Sequence, residues 1–180
     1  MSDNVDAARV RDCLAGDPQA FAALVGQYEK PVYNVALRML RNAEDARDIA
    51  QTVFLKAWQN LSSYDPQYKF YSWIYRMAIN ESLNALRSRG RGEGPVDERL
   101  PSGDPGPQDL LAGDQSREAV LAAVGRLKPE YRSVIVLRYF AELAYEDVGE
   151  VLGLDPKTVK SRLYSARQLL KDQLAARGVP

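Results

Sequence analysis

Between Gly90 and Gly113 the chain places Gly92, Gly94, Pro95, Pro101, Gly103, Pro105, Gly106 and Pro107, and no helix or strand persists through such a run. Whatever this sequence folds into must therefore be assembled from what lies on either side. The stretch 90–115 also sets Arg91 and Arg99 against Glu93, Asp97, Glu98, Asp104, Asp109 and Asp114, a net charge of −4. That composition predicts a flexible acidic linker, with one domain over 1–89 and another over 116–180 that move independently of each other.

On both sides the apolar residues recur at helical spacing, without the period-two alternation of strands. Asp17 and Pro18 predict a helix start, a cap followed by a proline at the first helical position, with Ala20, Phe21, Leu24, Val25 and Tyr28 on one face. Pro31 predicts a break or kink before Val32, Val35, Ala36, Met39 and Leu40 resume the stripe. The next helix begins near Asn42 and Glu44. One of its faces carries Ala46, Ile49, Ala50, Val53, Phe54, Ala57 and Trp58; the other carries Asp45, Asp48, Gln51, Thr52 and Lys56. Beyond the linker, residues 116–127 form an amphipathic helix with Val120, Leu121, Val124 and Leu127. Pro129 opens another with Tyr131, Val134, Ile135, Leu137 and Arg138, and two more follow over 145–152 and 156–174. The expected fold is all-α, in two small helical domains.

The last two helices have the spacing of a helix-turn-helix. Gly149 is small where two helices must cross closely, Gly153 can take the positive φ of the turn, and Val159 anchors the second helix. Asp155 and Pro156 supply a cap and a first position. Charge is segregated between the two helices: the first has Glu146, Asp147 and Glu150 with no cation, whereas residues 156–171 carry Lys157, Lys160, Arg162, Arg167 and Lys171 with no carboxylate. That pattern fits a recognition helix in the major groove, with a solvated basic face on an ordinary helix pair as the alternative.

Such local polarity matters because the chain as a whole balances 24 basic against 24 acidic residues, which gives no bulk attraction to nucleic acid. The lone Cys13 excludes an internal disulfide, and no cysteine-rich metal site can form. There is no histidine, no Gly-x-x-x-x-Gly-Lys phosphate loop and no Gly-x-Ser-x-Gly elbow, so no catalytic residue, cofactor or metal is expected. The N-terminus lacks a basic start and apolar run, and no long apolar stretch follows. A cytoplasmic protein with no membrane insertion is expected.

One stretch stands out for its rings. Tyr64, Tyr68, Phe70, Tyr71, Trp73 and Tyr75 lie close to Lys69 and Arg76, the combination an unpaired base needs for stacking and phosphate neutralisation. Some of these rings, Trp73 among them, also suit a core. Asn80, Asn84 and Arg87 follow Arg76 at helical spacing and can add polar contacts along one face.

Taken in order, these motifs resemble the extracytoplasmic-function sigma factors, the two-domain class of the sigma-70 family, over residues 6–175. Residues 44–58 are similar to the region that binds the coiled-coil clamp of the polymerase largest subunit, residues 70–80 to the stretch that melts and reads the −10 element, and residues 127–132 with the helix-turn-helix to the domain that reads the −35 element. The resemblance implies sigma region 2 over 1–89 and region 4 over 116–180. Its polymerase-binding residues are Asp45, Asp48, Gln51, Thr52 and Leu55, with Thr52 standing where the family commonly has glutamate. The −10 residues it implies are Tyr64, Lys69, Phe70, Tyr71, Trp73, Arg76, Asn80, Asn84 and Arg87, with the loop 62–71 and Asn80 capturing a flipped base. At the −35 duplex it implies Lys157, Thr158, Lys160, Ser161, Arg162, Tyr164, Ser165 and Arg167, with Ser165 standing where relatives can carry arginine. The implied partners are core RNA polymerase at its beta-prime clamp and beta flap, promoter DNA and a cognate anti-sigma factor. The linker would thread near the RNA exit path. Two alternatives from other classes are a sigma mimic that sequesters an anti-sigma factor and a plain helix-turn-helix regulator. The first leaves the cations of residues 156–171 without a purpose; the second leaves the aromatic stretch unexplained.

Overall fold

The computed structural model describes residues 2–90 and 113–176, with side chains over 5–90 and 117–176. Every regular element among them is helical: α1 (Ser2–Leu14), α2 (Pro18–Leu40), α3 (Ala43–Gln59), α4 (Phe70–Arg89), α5 (Gly113–Arg126), α6 (Pro129–Ile135), α7 (Tyr145–Leu152) and α8 (Pro156–Ala175), with a 3-10 turn at Leu61–Ser63 and a π turn at Val136–Phe140. Most of the expected linker, residues 91–112, lies outside the described residues. Helix α5 begins at Gly113, ahead of the start at 116 read from periodicity.

The capping chemistry holds. Asp17 is extended, and its carboxylate accepts from the Gln19 backbone N–H at 2.9 Å while Pro18 opens α2. Asn42 accepts from the Asp45 N–H at 3.0 Å at the head of α3. The expected break at Pro31 does not occur, and α2 runs unbroken for 23 residues through it. A proline inside a helix costs about 3 kcal/mol. Tyr28, Val32, Val35 and Met39 are buried around it, and each fully buried side chain of this size contributes roughly 1.5–3 kcal/mol, so tertiary packing carries the helix past the missing bond. Trp58 also departs from expectation. It lies at the end of the apolar stripe of α3, remains 49% exposed, and pairs edge-to-face with Phe21, ring centroids 5.0 Å apart.

Helix α2 is the axis of the first half and packs against α1, α3 and α4. Leu24, Val32, Met39, Val53, Phe70 and Ile74 fill the space between them. In the second half, Val134, Val136, Leu137, Val148, Val159 and Leu163 are buried together. These are not separate interiors. One continuous apolar core runs through both halves, joined where α2 and α4 meet α5, α6 and α7.

At that junction the buried guanidinium of Arg132 on α6 donates to three backbone carbonyls. Two, Gly125 and Leu127, belong to its own half; the third, Met39, is near the C-terminus of α2. Burial, and then the nearby Arg41 guanidinium, pull its pKa down to about 10. Arg38 lies 5.1 Å over the Phe140 ring. Arg41, left-handed at the end of α2, fills the space beside Gly125, where a Cβ would overlap its side chain. The two helical halves expected from the sequence are packed together here, through contacts between residues far apart in sequence that no local pattern reports.

Candidate nucleic-acid interface

Three surfaces present the residues singled out from the sequence. On α3, Asp48, Gln51 and Leu55 are exposed in one stripe at helical spacing, with Leu55 58% exposed despite its apolar chain. Asp45 is ion-paired with Arg89 from the end of α4, and Thr52 is half-buried, so these two offer less to a partner. Beside the stripe lies a hollow of about 600 Å³ with Val25, Tyr33 and Phe54 on its floor and Lys30, Arg47 and Gln51 around it. An apolar floor with a polar rim is the anatomy of a protein docking site.

Along α4, Arg76, Asn80, Asn84 and Arg87 are exposed on one face, and Arg87 donates to the Asn84 side chain at 3.5 Å. The aromatic stretch divides in two. Tyr64 and Phe70, expected at the DNA, are both buried here, with ring centroids 5.5 Å apart in an edge-on pair. The Tyr64 hydroxyl donates to the Tyr68 carbonyl at 2.6 Å, so this ring braces the loop from below. Trp73 is half-buried against both, which leaves only part of its face for a ligand. Tyr71 is half-buried, with the Lys69 ammonium 5.4 Å from its ring centroid. The Tyr71 hydroxyl, and after it the Asp147 carboxylate, hold the Lys69 ammonium well above the usual lysine range. The loop ring that is free to stack is Tyr68, 54% exposed, which the residue-by-residue resemblance passed over.

The helix-turn-helix has the geometry its sequence requires. A Cβ on Gly149 would stand 2.5 Å from the Leu154 carbonyl oxygen, and Gly153 takes φ +66. Asp155 accepts from the Thr158 backbone N–H at 2.9 Å and from its hydroxyl at 2.5 Å, contacts that hold its carboxyl below the usual range. Thr158 is thus engaged in the cap rather than free for a base. Lys157, Lys160, Ser161 and Tyr164 are exposed, Tyr164 at 64%, while Arg162 and Ser165 are half-buried. Arg167 is tied back toward the π turn: its Nε donates to the Tyr139 hydroxyl at 2.7 Å and an Nη to Tyr145 at 3.4 Å. Arg138 lies 5.3 Å over the Tyr145 ring. Arg167 first, then Arg138 and Lys160, lower the Tyr145 pKa. Sequence reading missed this cationic and aromatic group, because the π turn that delivers Tyr139 has no periodic signature.

The structure keeps the α3 stripe apart from the other two surfaces and brings those two together. Lys69 forms an ion pair with Asp147 of α7, Nζ to Oδ1 3.0 Å, and Arg76 donates to the Glu150 carbonyl. Asn80 and Arg87 of α4 face Glu130 and Arg162 across a cleft of about 400 Å³.

Comparison with known proteins covers both halves. Residues 24–92 match the family model of sigma-70 region 2, and residues 117–170 match that of sigma-70 region 4. The ECF RNA polymerase sigma factor SigW of Bacillus subtilis is 32% identical, over 92% of this chain and 95% of its own. The ECF RNA polymerase sigma factor SigE of Mycolicibacterium smegmatis is 35% identical over 84% of this chain, which spans 60% of that longer protein. Among solved structures, CnrH in complex with the cytosolic domain of CnrY aligns with a TM-score of 0.74 at 24% identity, over 96% of this chain and 98% of that one. The sigma factor RpoE of Bartonella quintana, in complex with the anti-sigma factor NepR, aligns at 0.72 and 23%, over 86% and 96%. At such identities these two speak for the fold. Among the described residues no helix is long and apolar enough to cross a membrane.

Proposed function

The chain belongs to the extracytoplasmic-function sigma factors of the sigma-70 family, initiation factors of transcription, and from that premise we propose how its surfaces divide the work. The stripe of Asp48, Gln51 and Leu55 on α3 docks on the beta-prime clamp of core RNA polymerase, with Asp45 and Thr52 at its margin. Lys69, Arg76, Asn80, Asn84 and Arg87 on α4, with Tyr68, Tyr71 and the open part of Trp73, take the melted −10 strand. Lys157, Lys160, Ser161, Arg162, Tyr164 and Ser165 on α8 read the −35 duplex, and the second half rests on the beta flap.

Neither DNA surface needs to be strong. Held on the polymerase at promoter spacing, two weak contacts add through effective concentration. A flipped base stacked on an exposed ring repays the few kcal/mol, roughly, that unstacking costs. An anti-sigma factor is a further partner, since the Bartonella relative is held by one, and the cytoplasm is where the polymerase would be met. The single observation that carries this assignment is the exposure of Leu55, one turn beyond Gln51 in the polar stripe, an apolar contact left open on a helix whose opposite face packs into the core through Ala46, Ala50, Val53 and Ala57.

The test is Asp48→Arg, which places a cation in the stripe without touching the core. Pull-down with core polymerase should lose at least tenfold in affinity, the scale of a lost interface charge contact, with helicity unchanged. Full binding by the variant would remove α3 from the interface.

A further inference from the structure

We propose that α1 belongs to the strand-capturing machinery: the buried Asp6 carboxylate, acting through the Tyr28 hydroxyl, fixes the packed rings on which Trp73 and Tyr68 are held, and so positions both for the melted −10 strand. This rests on the assignment of that loop and of α4 made above. Asp6 is 1% exposed, on a helix that otherwise meets the core through Val10 and Cys13. A carboxylate is tolerated out of water only where donors surround it. Here the Tyr28 hydroxyl donates to Oδ2 at 2.5 Å and the Gln27 side-chain amide to Oδ1 at 3.2 Å, with the Arg9 guanidinium 3.8 Å away. An apolar residue at position 6 would hold α1 on the core without any of these partners. What the carboxylate adds is direction rather than adhesion.

That direction is passed on through rings. Tyr28 is buried, and burial first, then the hydrogen bond to Asp6, push its hydroxyl well above the usual tyrosine range, so it stays a donor. Its ring centroid lies 5.5 Å from that of Phe70, the first residue of α4. Phe70 in turn stands 5.5 Å from Tyr64 and 5.7 Å from Trp73, and Tyr64 and Trp73 close the triangle at 5.5 Å. Tyr64 then holds the Tyr68 carbonyl through its hydroxyl. A close-packed interior transmits a displacement instead of absorbing it, so the tilt of Tyr28 sets the face that Trp73 leaves open and the place of Tyr68 above it. Helix α1 also packs against the 3-10 turn Leu61–Ser63 that leads into the loop. Buried as it is, Asp6 touches neither base nor phosphate; it is a positioning residue.

The experiment uses the full chain with Asp6→Leu and Tyr28→Phe combined. Removing both partners of a buried hydrogen bond in favour of apolar groups of similar shape leaves stability nearly unchanged, so the midpoint of thermal unfolding should stay close to that of the wild type. In a Trp58→Phe background Trp73 is the one remaining tryptophan and reports on the ring directly. In the double variant it should become more mobile by fluorescence anisotropy decay and more open to acrylamide quenching. Holoenzyme carrying the double variant should bind the closed promoter with unchanged affinity, while permanganate reactivity of the −10 region falls about three- to tenfold, the scale of one lost hydrogen bond. Asp6→Asn, whose amide oxygen still accepts from Tyr28, should keep most of the melting; a role in helix packing alone would rank the apolar double variant at least as high. Unchanged mobility of Trp73 would overturn the relay. So would an equal fall in closed-complex affinity and in melting, which marks a general loss of fold. Melting equal to that of the wild type would overturn it as well, and Trp73→Ala in holoenzyme then separates the causes: a loss shows that the rings read the strand and only the relay from α1 is wrong, whereas full melting shows that the assignment of the rings was wrong.

Discussion

Helices α4 and α8 are the same length, carry the same kinds of residue and are assigned the same kind of ligand, yet the fold treats them differently. Each has 20 residues, with cations and amides or hydroxyls at helical spacing. On α8, Lys157, Lys160, Ser161 and Tyr164 are exposed to solvent. On α4, Arg76 and the adjacent Lys69 are bonded to α7, and the first turn of the helix, Phe70 to Ile74, is packed into the core. A duplex can be met by a finished surface, because it arrives already formed. A melted strand exists only after the polymerase has opened it, and a surface for it can remain covered until then.

That contrast can be broken from the α8 side most severely by Gly149→Val. Its Cβ would lie 2.5 Å from a backbone oxygen, and overpacking of this kind costs typically 1–3 kcal/mol. The crossing of α7 and α8 should be lost, with a lower midpoint of thermal unfolding, duplex binding abolished in a gel-shift titration, and α4 uncovered at the same time. A smaller and cleaner break is Lys160→Ala with Arg162→Ala. It should cost about tenfold in duplex affinity and lower the salt slope by about one to two units, if both side chains reach phosphate. An intact slope would show that α8 holds DNA by other residues. The comparison is sharpened, with the smallest effect on binding, by Asn80→Ala. Its amide can donate and accept to a base only after flipping, so closed-complex affinity should be nearly unchanged while permanganate reactivity of the −10 region falls several-fold, roughly the value of one or two hydrogen bonds. A template premelted across that region should recover part of the loss. Equal melting by variant and wild type on the matched template would make Asn80 a helix residue without a ligand.

What the sequence made legible was local. Asp17 and Pro18, Asn42, Asp155 and Pro156, and the Gly149 and Gly153 pair were readable because a cap or a tight turn is decided within about four residues. The absence of a break at Pro31 was not legible because the residues that pack against α2 there lie on other helices. The burial of Tyr64 and Phe70 was not legible for a different reason: a ring that stacks on a base and a ring that fills a core are the same residue type, and only tertiary position separates them. The contact of Lys69 with Asp147 spans 78 positions, and Arg132 reaches Met39 across 93. Neither leaves any trace in periodicity, charge count or motif, so the assembly of the two halves had to come from the structure.

The two ends of the seam between the halves are fastened by different forces. Arg132 is buried and is held by neutral carbonyls, an interaction that dissolved ions barely screen; Lys69 and Asp147 meet at the rim, where ions at physiological strength act over about 8 Å. Rising ionic strength therefore loosens the α7 edge while the α2 edge stays fast. Such a seam opens by peeling, as a wedge whose apex sits at Met39, and the first gap it offers is beside Tyr68, where the strand is expected to enter.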